Sequence, residues 1–300
     1  RPLCRKAQGR PVPLSRVLAI PLLLAGAAIV AAASPLPLVV SAPLVARQGE
    51  LLRGSLPSGS RNLAIDDAPI TLTADGQYML GIDRDATGSR RLTWVTPDGR
   101  SASRTLTITA GTWDIDRLPA RLVNQNPNAA PNPAWEALRK GETDAIRAAR
   151  AETTPWPFWQ ARFQWPAIGR ISGVFGSQRV YGERPAAYHA GLDIAAPHGT
   201  IVKAPIPGIV RLASDGPFSL EGNILILDHG QGLHSAFLHL SRILVKPGDI
   251  VAQGQEIGRI GTTGRSTGPH LHWGMTWRGV KVDPQPLLPP MPPRTDQAGR

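Results

Sequence analysis

The stretch HLHWGMTW at residues 270–277 is the strand-like run from which the fold of this chain can be worked out. Four similar runs precede it, each bounded by glycine, proline, aspartate or serine: GIVRLA at 208–213, NILILDH at 223–229, HSAFLHL at 234–240 and EIGRIG at 256–261. Short apolar runs between such turn residues indicate β-strands joined by tight turns. Residues 165–288 are therefore predicted to form an antiparallel all-β domain.

Residues 34–118 contain further β-like runs separated by turn residues. Alternating segments flank Asp75-Gly76 and Asp98-Gly99, and an Asp-Gly pair in that position is a strong hairpin signal. This region contains no histidine and no cysteine. We therefore expect an N-terminal immunoglobulin-like β-sandwich that serves as a spacer or scaffold rather than as a catalytic domain.

Residues 119–164 differ in composition and are predicted to form a helical and aromatic linker. A helix is expected to open at Asn132 or Pro133, and prolines at 155 and 157 end it. We interpret the aromatic cluster that follows as a hydrophobic latch against the next domain rather than as a sugar-stacking strip, because linker aromatics usually bury their area within the chain. The cluster consists of Trp156, Phe158, Trp159, Phe163 and Trp165. Residues 289–300 are expected to be a tail.

The first 33 residues have the pattern of an export segment. Residues 1–16 are basic, and residues 17–33 read VLAIPLLLAGAAIVAAA. Residues 1–33 are thus predicted to be either a signal peptide or a retained membrane anchor. Cys4 is the single cysteine, so a disulfide scaffold and a cysteine metal site are excluded. We expect an exported protein of the periplasm or cell envelope, anchored to the inner membrane if the segment is retained.

The composition and charge restrict the class of partner. Apolar residues make up 42% of the chain and charged residues 18%, which excludes a disordered chain. The net charge is +11, but five basic residues and no acidic ones lie in the first 33 residues, so the remainder carries only +6. No run of Lys or Arg occurs, and we therefore expect an anionic surface such as a membrane or an acidic polymer as partner, and no nucleic acid.

The histidines point to a metal site. All seven lie between His189 and His272. His189 and Asp193 are four residues apart, with a glycine between them that permits a turn. His270 and His272 share one face of a strand because side chains alternate. Catalytic zinc is held by three protein ligands of nitrogen or oxygen, which predicts His189, Asp193 and one of the two paired histidines as ligands. The other histidine of that pair, together with His239, is then an uncoordinated imidazole suited to proton transfer.

The chain resembles the lysostaphin/LytM-type zinc peptidoglycan endopeptidases over residues 165–286. The stretches that carry the resemblance lie at 188–210, 222–241, 245–275 and 282–284. The resemblance implies a barrel-sandwich-like catalytic domain that binds one Zn²⁺ and acts on peptide stems or cross-bridges of bacterial peptidoglycan.

The resemblance also implies a role for each candidate site residue. His189, Asp193 and His272 would be the zinc ligands, and His239 and His270 would be the catalytic histidines. The family usually has tyrosine where this chain has Phe237, two residues before His239. The bond that is cut stays open between D-Ala to diaminopimelate cross-links and glycine-containing bridges.

Two other classes of function are compatible with parts of the sequence. A non-catalytic binding module of the same fold could activate another wall hydrolase, but such modules typically lose ligands or catalytic histidines, and all five positions are intact here. The stretch at 245–260 also resembles half of a lipoyl or biotinyl carrier domain. A carrier domain needs a modifiable lysine at the tip of a hairpin. Lys246 begins a Pro-Gly turn instead, so we attribute the likeness to shared hairpin geometry.

Overall fold

The computed structural model describes residues 38–39, 44–125 and 133–293. These residues belong to one compact unit. They are mainly β, as the sequence predicts, and the α-helix found among them, α1, spans Pro133–Ala151. Within them, no helix combines the length and the hydropathy that a transmembrane segment requires. The export segment predicted at 1–33 lies outside the described residues.

Nine strands form the N-terminal part of the described chain: β1 (Leu38–Val39), β2 (Leu44–Arg47), β3 (Leu51–Ser55), β4 (Arg61–Ile65), β5 (Ala68–Pro69), β6 (Gln77–Gly81), β7 (Ser89–Val95), β8 (Ser101–Thr109) and β9 (Ile115–Leu118). Six of them make a sheet of order β1-β8-β7-β4-β5, in which β2 also pairs with β8. Strands β1 and β2 run parallel to β8. Strands β3 and β6 pair separately. The immunoglobulin-like topology and the domain boundaries stay predictions.

The two Asp-Gly pairs have different outcomes. Asp98-Gly99 lies in the turn between β7 and β8, which pair antiparallel as predicted. Asp75-Gly76 also forms a turn, in which the Gly76 N–H donates to the carbonyl of Thr73 at 2.9 Å. The strand after this turn, β6, pairs with β3 and not with the residues just before it. The hairpin predicted there is wrong, because all residues of β6 have their register partners on β3.

Twelve strands form the C-terminal part: β10 (Arg170–Gly173), β11 (Gln178–Tyr181), β12 (Arg184–Pro185), β13 (Leu192–Ala195), β14 (Ile201–Lys203), β15 (Gly208–Ala213), β16 (Asn223–Asp228), β17 (Leu233–Ile243), β18 (Ile250–Val251), β19 (Glu256–Ile260), β20 (His270–Trp277) and β21 (Val280–Val282). Ten of them make one sheet of order β10-β13-β20-β17-β16-β15-β18, joined by β14, β19 and β21. Its described pairings are antiparallel. The predicted antiparallel all-β domain is confirmed.

The two faces of the central strands have different roles. Leu192, Phe237, Leu271 and Trp273 have no exposed surface and form the core on one face. Because side chains alternate along a strand, the neighbours of these residues on β13 and β20 point to the opposite face. That face carries the histidines.

The helix α1 packs on the face that carries the histidines. Ala149, Ile224 and Ala236 make a small apolar cluster between helix and sheet. Arg139 links the helix to the sheet domain through an ion pair with Glu221 of the loop before β16 at 2.7 Å, and it also pairs with Glu142 of the same helix. The helix is therefore held by both apolar contacts and a partly buried ion-pair network.

The linker aromatics divide between core and surface. Trp159 and Phe163 are buried at 1% and 5% exposure within the main core. The indole of Trp156 is half exposed and stacks on Phe158, with ring centroids 5.7 Å apart. Burial of Trp159 and Phe163 is the arrangement expected of a hydrophobic latch.

Candidate metal centre and catalytic site

Three side chains converge on one point above the central strands. His189 Nε2 lies 3.0 Å from Asp193 Oδ1 and 3.0 Å from His272 Nδ1, and the last two atoms are 2.9 Å apart. Asp193 on β13 and His272 on β20 are direct partners in the antiparallel register, and His189 precedes β13 by three residues. Three ligands of a tetrahedral zinc ion lie about 3.3 Å apart, so the spacing fits such an ion closely.

The backbone fixes which nitrogen of His189 faces this point. Its Nδ1 lies 2.9 Å from the carbonyl oxygen of Val174. A carbonyl accepts only, so Nδ1 carries the proton and Nε2 presents a lone pair toward Asp193 and His272. A hydrogen bond of this kind on the outer nitrogen is the usual way in which a ligating histidine is oriented.

The charge states of His189, Asp193 and His272 favour the binding of a cation between them. Burial raises the pKa of the Asp193 carboxyl, but its close contacts with His189 and His272 outweigh this effect and hold the pKa well below its usual range. Burial lowers the pKa of His189, and the nearby carboxyl group of Asp193 more than offsets this, so that the net pKa is raised. Burial lowers the pKa of His272. One carboxylate and two imidazoles form a donor set that fits a divalent metal ion.

Two glycines let the three ligands approach. A Cβ atom at Gly191 would lie 2.7 Å from His272 Nε2 and 2.6 Å from the carbonyl oxygen of Trp273. A Cβ atom at Gly173 would lie 2.6 Å from the second carboxylate oxygen of Asp193. The backbone of Gly191 is not left-handed. The chain bends at Gly191, and the missing Cβ atom also leaves room for the ring of His272.

His239 and His270 lie side by side next to the three ligands. Their ring centroids are 4.8 Å apart, and His270 Nε2 is 3.9 Å from Asp193 Oδ1. Each Nδ1 is 2.9 Å from a backbone carbonyl, that of Thr263 for His239 and that of Gly268 for His270. By the same argument as for His189, both rings keep an unprotonated Nε2 available for proton transfer.

His239 reaches the site through an unusual backbone conformation. Leu238 is the register partner of His272, and Phe237, one residue earlier, is buried in the core. Strict alternation would place His239 on the core face with Phe237. Instead His239 has φ of 62°, in the left-handed region, at the point where β17 leaves β16 to pair with β19. The ring of His239 therefore joins the site because the alternation of side chains along β17 breaks at this residue.

The surroundings of His239 keep it neutral. The backbone N–H of His239 donates to the carbonyl of Glu221 at 2.9 Å, and this hydrogen bond supports the left-handed conformation of His239. Burial lowers the pKa of His239 to about 4. Local strain of this kind persists where the surrounding structure over-determines it, and it is frequent at functional sites.

The remaining histidines lie outside the centre. His229 is buried and bonds the carbonyl of Pro207 and the hydroxyl of Ser235. His234 donates to the carbonyl of Glu152. His198 is an exposed turn residue. The sequence analysis did not identify Arg84, which bonds the carbonyl of Gly176 in the loop before His189. No local pattern marks this pair, because its two residues are 92 positions apart in the chain.

The comparisons with known proteins agree with this geometry. Residues 187–284 match peptidase family M23. The peptidoglycan DD-endopeptidase ShyA of Vibrio cholerae is 41% identical over 123 residues, which are 41% of this chain and 28% of that protein. The DD-carboxypeptidase/endopeptidase Mpg of Neisseria meningitidis is 37% identical over 130 residues, 42% of this chain and 29% of that protein. The chain thus spans less than a third of the length of these relatives.

A solved structure extends the likeness beyond the matched family region. A crystal structure of a Pseudomonas aeruginosa protein assigned to peptidase M23 superposes with a TM-score of 0.60 at 26% identity, covering 82% of this chain and 95% of that one. The region that matches peptidase family M23, residues 187–284, contains all five candidate site residues.

Proposed function

We propose that this chain is a zinc-dependent endopeptidase that hydrolyses peptide stems or cross-links of bacterial peptidoglycan. The observation that carries the proposal is the convergence of His189 Nε2, Asp193 Oδ1 and His272 Nδ1 beside two further histidines with free Nε2 atoms. Two relatives support the substrate class. ShyA is named as a peptidoglycan DD-endopeptidase and Mpg as a DD-carboxypeptidase/endopeptidase.

The ion that we propose is Zn²⁺, one per chain, held by His189, Asp193 and His272. Two imidazoles and one carboxylate are ligands that zinc accepts, and three protein ligands leave one position for solvent or substrate. When bound, zinc lowers the pKa of water toward neutrality and polarises a carbonyl group.

The two histidines outside the ligand set would move the proton. In this proposal the Nε2 atom of His239 or His270 accepts a proton from the attacking water, because its Nδ1 proton is already committed to a backbone carbonyl. The protonated ring then donates a hydrogen bond to the anionic oxygen that develops on the scissile carbonyl. The same proton finally passes to the nitrogen of the leaving amine, so that the amide bond breaks and the histidine that accepted the proton returns to its neutral form.

We also propose the cell envelope as the place of action. Peptidoglycan lies there, and the basic and apolar pattern of residues 1–33 supports export with either cleavage or retention as an anchor. The alternative of a non-catalytic activator of another wall hydrolase is less consistent with the site, since such a module needs neither the ligands nor the free Nε2 atoms.

The test combines metal content with turnover of purified peptidoglycan. We expect the intact protein to contain one zinc per chain and to release soluble peptide fragments. His239→Ala should keep the zinc and lose the activity, whereas Asp193→Ala should lose both. His198→Ala, an exposed histidine of the same domain, is the matched control and should change neither.

Two outcomes would contradict the proposal. An intact protein that binds zinc but leaves peptidoglycan uncut would indicate the activator instead. Loss of zinc from His239→Ala would show that the division between ligands and proton-transfer histidines is wrong.

A further inference from the structure

A cavity of about 600 Å³ lies beside His272, between α1 and the sheet. Its floor is the face of β16, β17 and β20 that carries Ala236 and Thr276, and its roof is α1 with Ile146. From His272 to Thr276 the floor extends about 13 Å, since a strand rises about 3.3 Å per residue. The proposed zinc centre thus stands at one end of a pocket long enough for three to four residues of extended peptide.

Two cationic side chains of this pocket have no anionic partner. Among the described residues, neither Arg150 nor Lys281 forms an ion pair or donates a side-chain hydrogen bond. The Arg150 Nε atom is shielded from solvent and has no acceptor. Burial lowers the pKa of Arg150, and the more distant charge of Glu221 offsets this only in part. The Lys281 ammonium is exposed at the pocket and lies 5.1 Å above the ring of Tyr188, the residue before His189.

The other charges of the pocket are already compensated. Arg147 pairs with Asp144 at 2.5 Å. Glu221 receives two hydrogen bonds from Arg139, at 2.7 and 3.1 Å. The charge left over is therefore positive, and a half-buried guanidinium without a partner is a costly arrangement that a bound anion relieves.

We propose that this cavity is a substrate subsite that binds a free carboxylate of the peptide, with Arg150 as its main contact and Lys281 as a second one at the pocket edge. The inference rests on the proposed function. A guanidinium matches a carboxylate with two parallel hydrogen bonds, whereas a carboxamide offers it one oxygen and no charge. The apolar floor suits small aliphatic side chains next to that carboxylate. Because α1 lies outside residues 187–284, the helix adds this selectivity to the family domain.

The experiment compares two synthetic cross-linked stem peptides that differ at one group, a free carboxylate in one and a primary carboxamide in the other. We expect the zinc-loaded full chain to cleave the carboxylate peptide with a KM about tenfold lower, the usual range for a charge-assisted hydrogen bond. Arg150→Gln should remove the preference through KM, and Arg150→Lys should restore part of it. Lys281→Gln, an exposed position that does not endanger folding, should reduce the preference as well.

The matched control is Lys140→Gln, which removes an exposed charge from the same helix, where Lys140 pairs with Asp144. It should leave the preference unchanged. Equal KM values for the two peptides with the intact protein, or a preference that survives both Arg150→Gln and Lys281→Gln, would overturn the subsite. Failure of the intact protein to cleave either peptide or peptidoglycan would instead contradict the proposed function itself.

Discussion

The guanidinium of Arg84 donates two hydrogen bonds to the carbonyl oxygen of Gly176, at 3.1 Å from Nε and 2.9 Å from Nη2. Arg84 belongs to the N-terminal part of the chain, is 5% exposed and lies 4.8 Å from the ring of Tyr188. Gly176 in turn donates its N–H to the carbonyl of His189 at 2.9 Å, and His189 donates its own N–H to Ser177. The N-terminal part therefore helps to hold the loop that presents His189.

We predict that Arg84→Met weakens zinc binding about tenfold, because partners behind a metal ligand typically contribute 10- to 100-fold to affinity. Without the guanidinium, the Gly176 carbonyl loses its donors and the backbone around His189 is free to shift. Competition with a chromophoric chelator measures the affinity, and urea unfolding of the same variant separates this effect from global stability.

The control for this prediction is Arg90→Met in the same part of the chain. Arg90 is partly exposed, and its partners are Asp66 and carbonyls of its own neighbourhood. It should leave the zinc affinity unchanged. Unchanged affinity in Arg84→Met would mean that the loop holds His189 without help from the N-terminal part.

We predict that Gly191→Ala damages the metal centre while leaving most of the fold intact. The added methyl would lie within 2.7 Å of both His272 Nε2 and the carbonyl of Trp273, so the ring of His272 or the backbone that carries it must shift. Overpacking of this kind costs about 1–3 kcal/mol, and a ligand displaced by that strain should lower zinc affinity at least tenfold in the chelator assay. Gly141→Ala on α1, where an added Cβ meets no atom, should not alter the affinity. A crystal structure of Gly191→Ala with His272 unmoved would refute the explanation.

We predict that acid destabilises the chain between pH 6.5 and 4 through His229. Burial lowers the pKa of His229 to about 4, whereas the unfolded chain has an ordinary histidine pKa near 6.5. In that window the unfolded state binds a proton that the native state does not, so the free energy of unfolding falls as pH falls, by about 1.4 kcal/mol per pH unit and about 3 kcal/mol in total. The contribution is fully present above pH 6.5.

Urea unfolding at a series of pH values tests this relationship. His229→Gln should flatten the slope between pH 6.5 and 4 relative to the intact chain, while His198→Gln, an exposed position, should not. An unchanged slope in His229→Gln would assign the acid sensitivity to other groups, such as His234, whose pKa burial also lowers.

Patterns within one segment could be interpreted from the sequence. The pairing of His270 and His272 on one face follows from strand alternation, and the strands of the C-terminal domain follow from short apolar runs between turn residues. The grouping of His189, Asp193 and His272 followed from residue chemistry and from the family resemblance, and the structure brings these side chains together. In each case the information is local, or it lies in residue types that zinc coordination requires.

What the sequence by itself determined is therefore which segments of the C-terminal domain form strands, that His270 and His272 share one face of a strand, and which residue types are candidates for the metal centre. Only the tertiary structure decided that β6 pairs with β3, that a left-handed His239 enters the site, that Gly191 makes room for His272, and that Arg84 and Arg150 lie against the catalytic sheet. The physical reason is that local periodicity sets the direction of a side chain relative to its own element, whereas contacts between distant segments depend on how the whole core packs.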